Sequence, residues 1–508
     1  MEIILNRQST ATNEVILNST YEHPFEVDCT LPDYCRDIVK ILNTTVTPTI
    51  SNTSINGNRL TIDGNNVISI YYSDGEDNLS KYESKVAFSK TIELKTSPSN
   101  PILFVDSSEG YINCRAVSPR RLDIRGTIEI YVKLSNNTNE KIINEISYDS
   151  MEVKPLICEG VEAIGQFTKQ FTIKESLSML NSNEHPQNIL RYDICPTVSE
   201  YKLLPGKVII KGSMSIHIMY CCEDNKNISK SDYAIPFSQI IDCADVDEEC
   251  ICDIRLKVIN SEIICEQSDD NNETFNISAT ICAKVSSYKN ITVRAVKDCY
   301  CRKFNCNFKT KNINLTKIVE IVNETHNHKE IVELPNDSTE IIDVWFKLIS
   351  NETICNDNKV TLEARIIICI LAVADGHYCC VEKPITVIQD FITEKCHKNI
   401  SFNPDIFICK YNFSDINNCK TEISCDVMIN GIIFDFVNCC VIDDVTIDEK
   451  AIKKSENDMV IVYYPHFKES LWDIAKKYNT SMELLKSENN ITEDYVEQGQ
   501  ILLITPKF

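Results

Sequence analysis

The chain has 508 residues, a hydrophobic content of 43% and a formal net charge of −23. A chain of this length exceeds what one hydrophobic core serves, so three or four domains are expected. The negative charge disfavours nucleic acid and anionic membrane surfaces as partners, because both are bound by clustered lysine and arginine.

The N-terminal sequence MEIILNRQST lacks the charged start and apolar stretch of a signal peptide. The longest apolar run, around Ile366–Ala374, is too short to span a membrane. The sequence therefore predicts a cytoplasmic protein that is not inserted into a membrane.

Three segments alternate apolar and polar residues in the same way and lie roughly 150 residues apart. They are Leu60–Tyr72, Val208–Tyr220 and Val360–Ala372. A second alternating segment follows each of them, at Leu122–Ile130, Phe275–Ala283 and Thr421–Ile429. Alternation with period two marks half-buried strands. The sequence therefore predicts a mainly β protein with three antiparallel, sandwich-like domains, over residues 1–145, 146–315 and 316–450.

The first copy carries two distinctive stretches, DCTLPDYCRDIVKIL at Asp28–Leu42 and NCRAVSPRRLDIRG at Asn113–Gly126. These stretches resemble the SPOCS domain of clostridial spore-coat and related proteins. The second and third copies resemble that domain through their strand pattern alone. The resemblance implies three SPOCS-type β domains with a role in the spore coat.

A basic cluster in the first copy stands out in so acidic a chain. Its members are Arg115, Arg120, Arg121 and Arg125. One interpretation is a salt-bridged strand edge that discourages pairing with other strands. The other is a secondary contact surface for another coat protein, and the spacing of the arginines does not decide between them.

The 25 cysteines are an odd number without a regular disulfide framework. Cys369, Cys409 and Cys425 fall on apolar strand positions, where a free thiol acts as a small hydrophobe. Cys299, Cys301 and Cys306, with His326 or His328, are candidate zinc ligands, but their spacing does not match paired CxxC knuckles. Reduced structural thiols are therefore expected, with no metal and no cofactor.

The C-terminal segment 456–508 predicts a strand, two helices and a second strand. The strands are expected over Val460–Tyr464 and Ile501–Ile504. Two capping boxes are expected to start the helices, Ser470 with Asp473 and Thr480 with Glu483.

This segment resembles a LysM domain, notably at Ser470–Ala475 and Gly499–Leu502. The resemblance implies a βααβ fold and a shallow binding groove between two loops, lined by Phe467, Lys468, Glu469, Ser470, Leu471, Trp472, Asn489, Asn490, Ile491, Val496, Gln498 and Gly499. The family usually has Gly-Asp where this chain has Lys468-Glu469. Loss of that glycine is expected to alter the loop backbone and to weaken glycan binding. For Trp472, packing of the helix and contact in the groove both remain open.

The sequence contains no GxSxG, HExxH or phosphate-loop motif, so no catalytic residues are assigned. Repeated SPOCS domains followed by one LysM domain resemble the SipL-like family of clostridial spore-coat morphogenetic proteins. That resemblance implies a non-enzymatic scaffold in the mother-cell cytoplasm, at the forespore surface. Its LysM domain would dock a coat morphogenetic ATPase, with other coat proteins as further partners. The alternative is a protein of the cortex or cell wall that binds peptidoglycan or N-acetylglucosamine glycans.

Overall fold

The computed structural model of the chain describes residues 3–179, 186–222, 228–267, 273–356, 358–393, 399–417, 419–452, 460–466, 468–496 and 500–505. Most of these residues are in antiparallel strands, and two short helices lie near the C-terminus. The predicted mainly β fold with a small α+β region at its end is confirmed. Neither of these helices is long and apolar enough to cross a membrane.

The strands of the described residues fall into three successive units. The first unit contains β1 (Ile4–Thr30), β2 (Lys40–Asn56), β3 (Arg59–Ser73), β4 (Leu79–Glu93), β5 (Pro101–Ser118) and β6 (Arg121–Ser147). The second contains β7 (Met151–Ser178), β8 (Pro186–Leu204), β9 (Lys207–Cys222), β10 (Ile228–Asp242), β11 (Ile251–Gln267) and β12 (Glu273–Cys301). The third contains β13 (Phe304–Glu333), β14 (Glu340–Asn356), β15 (Lys359–Ala374), β16 (His377–Ile392), β17 (Ile400–Phe402), β18 (Asp405–Asn417) and β19 (Lys420–Ile452).

Each unit pairs its strands in the same order, in a smaller and a larger sheet, and a short β7–β13 contact joins the larger sheets of the second and third units. The smaller sheets are the meanders β2-β3-β4, β8-β9-β10 and β14-β15-β16. In each larger sheet, the last long strand of the unit lies in the middle. Its neighbours are the first long strand and the strand that comes just before the last one in the chain, as in β1-β6-β5 and β7-β12-β11. The alternating segments found in the sequence are the central strands of these sheets, because a central strand must present one apolar side to the core along its whole length.

The two sheets of a unit bury their apolar sides against each other. In the first unit, Leu60, Ile62 and Ile68 of β3 share a core with Leu122 and Ile124 of β6. All five side chains are fully buried. Full burial of such a side chain stabilises a fold by about 1.5–3 kcal/mol, so this alternation fixes which side of each strand faces inward.

The long strands continue beyond their own unit into a core shared by all three. Ile142 of β6, Val293 of β12 and Leu315 of β13 pack together there. A bulge interrupts each long pair on the way, near Val15, Ser287 and Ile318. A bulge bends and twists a strand, so it can redirect the second half of each ribbon toward the other two.

The division into domains remains a prediction, and the strands suggest adjusted boundaries. The expected limit between residues 315 and 316 lies inside β13, which pairs with β19 of the third unit along its length. We propose that the units span 4–147, 151–301 and 304–452, because the short connections between long strands lie at 148–150 and 302–303.

Candidate functional site

The C-terminal domain consists of β20 (Ile461–Tyr463), α1 (Leu471–Tyr478), α2 (Met482–Asn489) and β21 (Leu502–Ile504). The two strands pair antiparallel, with Val462 opposite Leu503. Leu471, Ile474 and Ala475 of α1 are fully buried and pack with Leu485 of α2. The predicted βααβ order is present because each helix has an apolar side at helical spacing.

The starts of the two helices differ from the predicted capping boxes. Ser470 precedes α1, but its side chain makes no capping hydrogen bond. The cap of α2 is Ser481, whose hydroxyl accepts a hydrogen bond from the Leu484 amide at 3.2 Å. Thr480 is buried and donates its hydroxyl hydrogen bond to the Thr505 carbonyl instead. The Thr480–Glu483 box is therefore wrong by one residue, because the sequence offers two adjacent hydroxyls and burial takes one of them.

The loop before α1 holds a non-glycine residue in a backbone conformation that favours glycine. Lys468 has a φ of 60°, in the left-handed region that favours glycine. The Glu469 carboxylate fixes this loop by accepting hydrogen bonds from the His466 amide and the Tyr463 hydroxyl, each at 2.9 Å. The Glu469 carbonyl also accepts from the Val496 amide at 3.1 Å. These bonds hold Lys468 in the left-handed conformation without glycine, and the expected difference from the family loop stays a prediction.

The predicted groove residues have different environments, and their assignment to a binding groove remains a prediction. Leu471, Trp472, Ile491 and Val496 are buried in the hydrophobic core of the domain. The Asn489 side chain joins α2 to β21, donating to the Leu503 carbonyl at 2.8 Å and accepting from the Leu503 amide at 2.7 Å. Ser470 bridges to Tyr495. Lys468 and Asn490 are exposed, and Phe467, Gln498 and Gly499 lie outside the described residues.

The outward side of the strand pair is an apolar surface that the sequence analysis did not single out. We call this surface the apolar sheet face, and its side chains are between 46% and 71% exposed. It consists of Val460, Val462, Tyr464, Ile501 and Leu503. Val462 and Leu503 are opposite each other, and the others lie two residues away along the chain. The sequence contained a signal for this surface. In a strand with one side facing solvent, every second residue should be polar, but both strands here are apolar at consecutive positions.

Trp472 contacts the second β unit. Its indole nitrogen donates to the Asp298 carboxylate at 2.8 Å. Its ring meets the Tyr300 ring edge-on, with centroids 5.1 Å apart. Of the two roles left open for Trp472, packing is thus present. It occurs between the C-terminal domain and the second β unit, an interface that the helix pattern alone did not reveal.

Each arginine of the basic cluster lies beside a carboxylate. The pairs are Arg115 with Asp123, Arg120 with Asp37, Arg121 with Asp28, and Arg125 with Glu26. Arg120 also donates to the Pro32 carbonyl at 2.7 Å and the Cys35 carbonyl at 3.1 Å. These contacts give Arg120 a structural role in the loop after β1, and the role of the cluster as a secondary contact surface stays a prediction.

The candidate zinc ligands do not converge on one point. Cys299 and Cys306 have sulfur atoms 3.9 Å apart, whereas Cys301 contacts the Asp149 carbonyl. His326 is bonded to Glu324 on its own strand. Within the described parts of the chain, no group of three or more His, Cys, Asp or Glu side chains could hold a metal ion.

A cavity of about 770 Å³ lies where the three units meet. Charged side chains in its wall are paired across units. Lys257 lies 3.5 Å from Asp106 and 3.1 Å from Asp405, and Lys347 lies 3.4 Å from Glu109. These ion pairs join the three units and hold opposite charges together in a partly enclosed space.

Comparison with protein families gives two matches. The model described as "SipL, SPOCS domain" matches residues 37–117 and 186–265, and the LysM domain model matches residues 468–505. The two SPOCS segments cover the same four strands of the first and second units, β2–β5 and β8–β11. Neither the curated proteins nor the solved structures yield a match.

These matches show that the chain is SipL-like, with SPOCS segments followed by a C-terminal LysM domain. They fit a sporulation-related protein that carries a peptidoglycan-binding type of module. SPOCS and LysM are also non-catalytic families.

Proposed function

We propose that this chain is a non-enzymatic scaffold of spore-coat assembly that docks a coat morphogenetic ATPase through its LysM domain. The SPOCS and LysM matches support the sporulation setting. The apolar sheet face is the observation that favours a protein partner. The protein would act in the mother-cell cytoplasm at the forespore surface, with its β units spacing the LysM domain and recruiting other coat proteins.

The apolar sheet face has the chemistry of a protein contact. It places five large apolar side chains side by side on a domain of modest size. Contiguous exposed apolar surface is unusual on a soluble domain and commonly marks a contact site. Protein interfaces take most of their binding free energy from a few desolvated apolar or aromatic anchors, and Tyr464 with Val462 and Leu503 offers such a group.

The alternative function is binding of peptidoglycan in the manner usual for LysM domains. The left-handed conformation of Lys468 favours it, because this residue adopts a conformation that glycine, usual here in the family, takes readily. The burial of Leu471, Trp472, Ile491 and Val496 counts against it, since these predicted groove residues are engaged in packing. A glycan would have to use the remaining polar surface of the two loops.

The test compares both ligands on the full chain. We expect each of the single variants Val462→Glu and Leu503→Lys to abolish co-purification of the coat ATPase, because the new charge would lose its water in the contact. Thr492→Glu is the matched control, as it adds a charge at an exposed position of the same domain. Sedimentation with purified peptidoglycan is measured in parallel. Tight sedimentation of the unaltered chain, without affinity for any coat protein, would establish the alternative.

A further inference from the structure

The end of strand β12 presents two side chains toward the LysM domain. A bulge between Val296 and Asp298 shifts the register of this strand. After the bulge, Asp298 and Tyr300 lie two residues apart and therefore share one side of the sheet. Lys154 of β7 is the cross-strand partner of Asp298. Together Lys154, Asp298 and Tyr300 form what we call the α1-docking surface.

Helix α1 contacts this surface with side chains one turn apart. The Asp298 carboxylate accepts from the Trp472 indole at 2.8 Å and from the Lys476 ammonium group at 2.7 Å and 2.8 Å. The Lys154 ammonium group lies 5.7 Å from the centre of the Trp472 ring. Trp472 and Lys476 are four residues apart and so occupy one side of the helix.

Tyr300 extends the contact into the LysM core. Its hydroxyl donates to the Thr480 carbonyl between the two helices at 2.7 Å. The side chain is only 3% exposed and belongs to the same apolar cluster as Leu471, Ile474 and Leu485. Burial raises the pKa of Tyr300, with the negative charge of Glu152 as a second cause.

We infer that the α1-docking surface holds the LysM domain in one fixed orientation, and that Trp472 is a docking residue within the chain rather than a contact for a partner. An indole and an ammonium group converge on one carboxylate, while a tyrosine completes the core of the neighbouring domain. Such a set of directional bonds around a buried aromatic pair defines a single geometry, as hot-spot aromatics do in interfaces. The inference does not depend on the identity of the partner.

The fixed orientation has a consequence for binding. With Trp472 at 5% exposure, a partner reaches the LysM domain through other surfaces while α1 stays docked. Loss of partner binding on substitution of Trp472 would then arise from displacement of the whole domain. Asp298 and Tyr300, which lie outside the LysM domain, should produce the same loss when changed.

Tryptophan fluorescence of the full chain tests the docking. The chain has two tryptophans, Trp345 and Trp472, so a Trp345→Phe background reports on Trp472 alone. In that background we expect Asp298→Ala with Tyr300→Phe to shift the emission to longer wavelength and to increase quenching by acrylamide. Asp494→Ala is the matched control, because it removes an ion pair with Lys486 inside the LysM domain at 2.7 Å and should leave both readings unchanged.

A charge reversal distinguishes docking from general destabilisation. Asp298→Lys and Lys476→Glu should each expose Trp472, and the double variant should restore part of its protection, since the ion pair is re-formed with opposite polarity. Unchanged quenching in the Asp298 and Tyr300 variants, with circular dichroism showing an intact fold, would overturn the inference. That outcome is independent of whether the ATPase binds.

Discussion

Gly64 and Gly212 occupy equivalent positions in the central strands β3 and β9. A side-chain carbon at Gly212 would overlap the Thr197 carbonyl oxygen and lie 2.6 Å from Cζ of Phe237. A strand bulge lies next to this site, between Val198 and Glu200. In the third unit the corresponding residue is Ala364, and it faces Val387. Glycine is required at Gly212 because the Thr197 backbone carbonyl and the Phe237 ring leave no room for a side-chain carbon.

We expect Gly212→Ala to destabilise the protein by about 2–4 kcal/mol, because the overlapping carbonyl belongs to the backbone and cannot rotate away. The matched variant is Ala364→Gly, which should cost only about 1–2 kcal/mol through lost burial and added backbone entropy. Denaturant unfolding followed by circular dichroism measures both. Equal effects of the two substitutions would contradict the close-approach explanation.

At the scale of the elements, the two helices of the LysM domain start differently. The Ser481 hydroxyl caps α2, whereas the chain enters α1 through backbone bonds, with the Asp473 amide donating to the Ser470 carbonyl at 3.1 Å. Both helices end at asparagines in the left-handed conformation, Asn479 and Asn490. Of the four helix ends in this domain, one is closed by the Ser481 side chain and two by left-handed turns at Asn479 and Asn490.

We expect Ser481→Ala to destabilise α2 by about 1 kcal/mol, the usual cost of losing a capping hydroxyl. Ser470→Ala should change stability by no more than a few tenths of that amount, because its hydroxyl makes no capping bond. Hydrogen exchange of the helix amides, resolved by mass spectrometry, gives the opening free energy of each helix. A larger effect at Ser470 than at Ser481 would restore the capping box predicted for α1.

At the scale of the whole molecule, a buried charge network joins the second and third units. The Asp343 carboxylate is fully buried, 3.1 Å from Arg191 and 3.1 Å from His217, and accepts from the Tyr411 hydroxyl at 2.9 Å. Burial opposes ionisation of this carboxyl, but its hydrogen bond to His217 and the charge of Arg191 lower its pKa to about 2. Burial alone lowers the pKa of His217, yet its bonds to Asp232 and Asp343 raise it to about 9.

This network predicts a loss of stability at high pH. A histidine with a raised pKa stabilises the fold fully below its unfolded pKa of 6.5, and that contribution is lost as the pH rises through about 9. The amount is on the order of 3 kcal/mol, since the side chain is only 13% exposed. We expect His217→Gln to lower the stability at pH 7 and to flatten its decline toward pH 10. His326→Gln, at a histidine bonded within its own strand, is the control, and an identical pH profile for all three proteins would refute the assignment.

A thiol pair also crosses between units. The sulfur atoms of Cys158 in β7 and Cys439 in β19 are 3.4 Å apart. Burial and the neighbouring Cys158 thiol raise the pKa of Cys439 to about 12, so this thiol is protonated at neutral pH and reacts slowly. A disulfide needs the two sulfur atoms to approach to about 2 Å, so the side chains of Cys158 and Cys439 would have to move closer by more than about 1 Å.

We expect protein isolated anaerobically to contain reduced cysteines, and prolonged hydrogen peroxide treatment to join Cys158 to Cys439 while the peroxide is reduced to water. Peptide mapping under non-reducing conditions identifies the link, which should form faster at higher pH. Cys158→Ser should prevent this disulfide, whereas Cys440→Ser, at the neighbouring exposed cysteine, should not. Oxidation of Cys440 with Cys158 still free would show that the two strands do not approach in solution.

The sequence by itself determined the central strands of the sheets, their inward sides and the βααβ order of the LysM domain. Alternation with period two and apolar residues at helical spacing are local patterns, and burial of one side of an element is enough to enforce them. Two central strands of each unit, such as Leu60–Tyr72 in β3 and Leu122–Ile130 in β6, and the LysM segment were accordingly predicted from their residues. The tertiary structure alone decided that the long strands bend into a shared core, that Asp343 meets His217, and that Trp472 meets Asp298. These contacts join residues more than a hundred positions apart through bulges that shift register, and no local pattern carries that information.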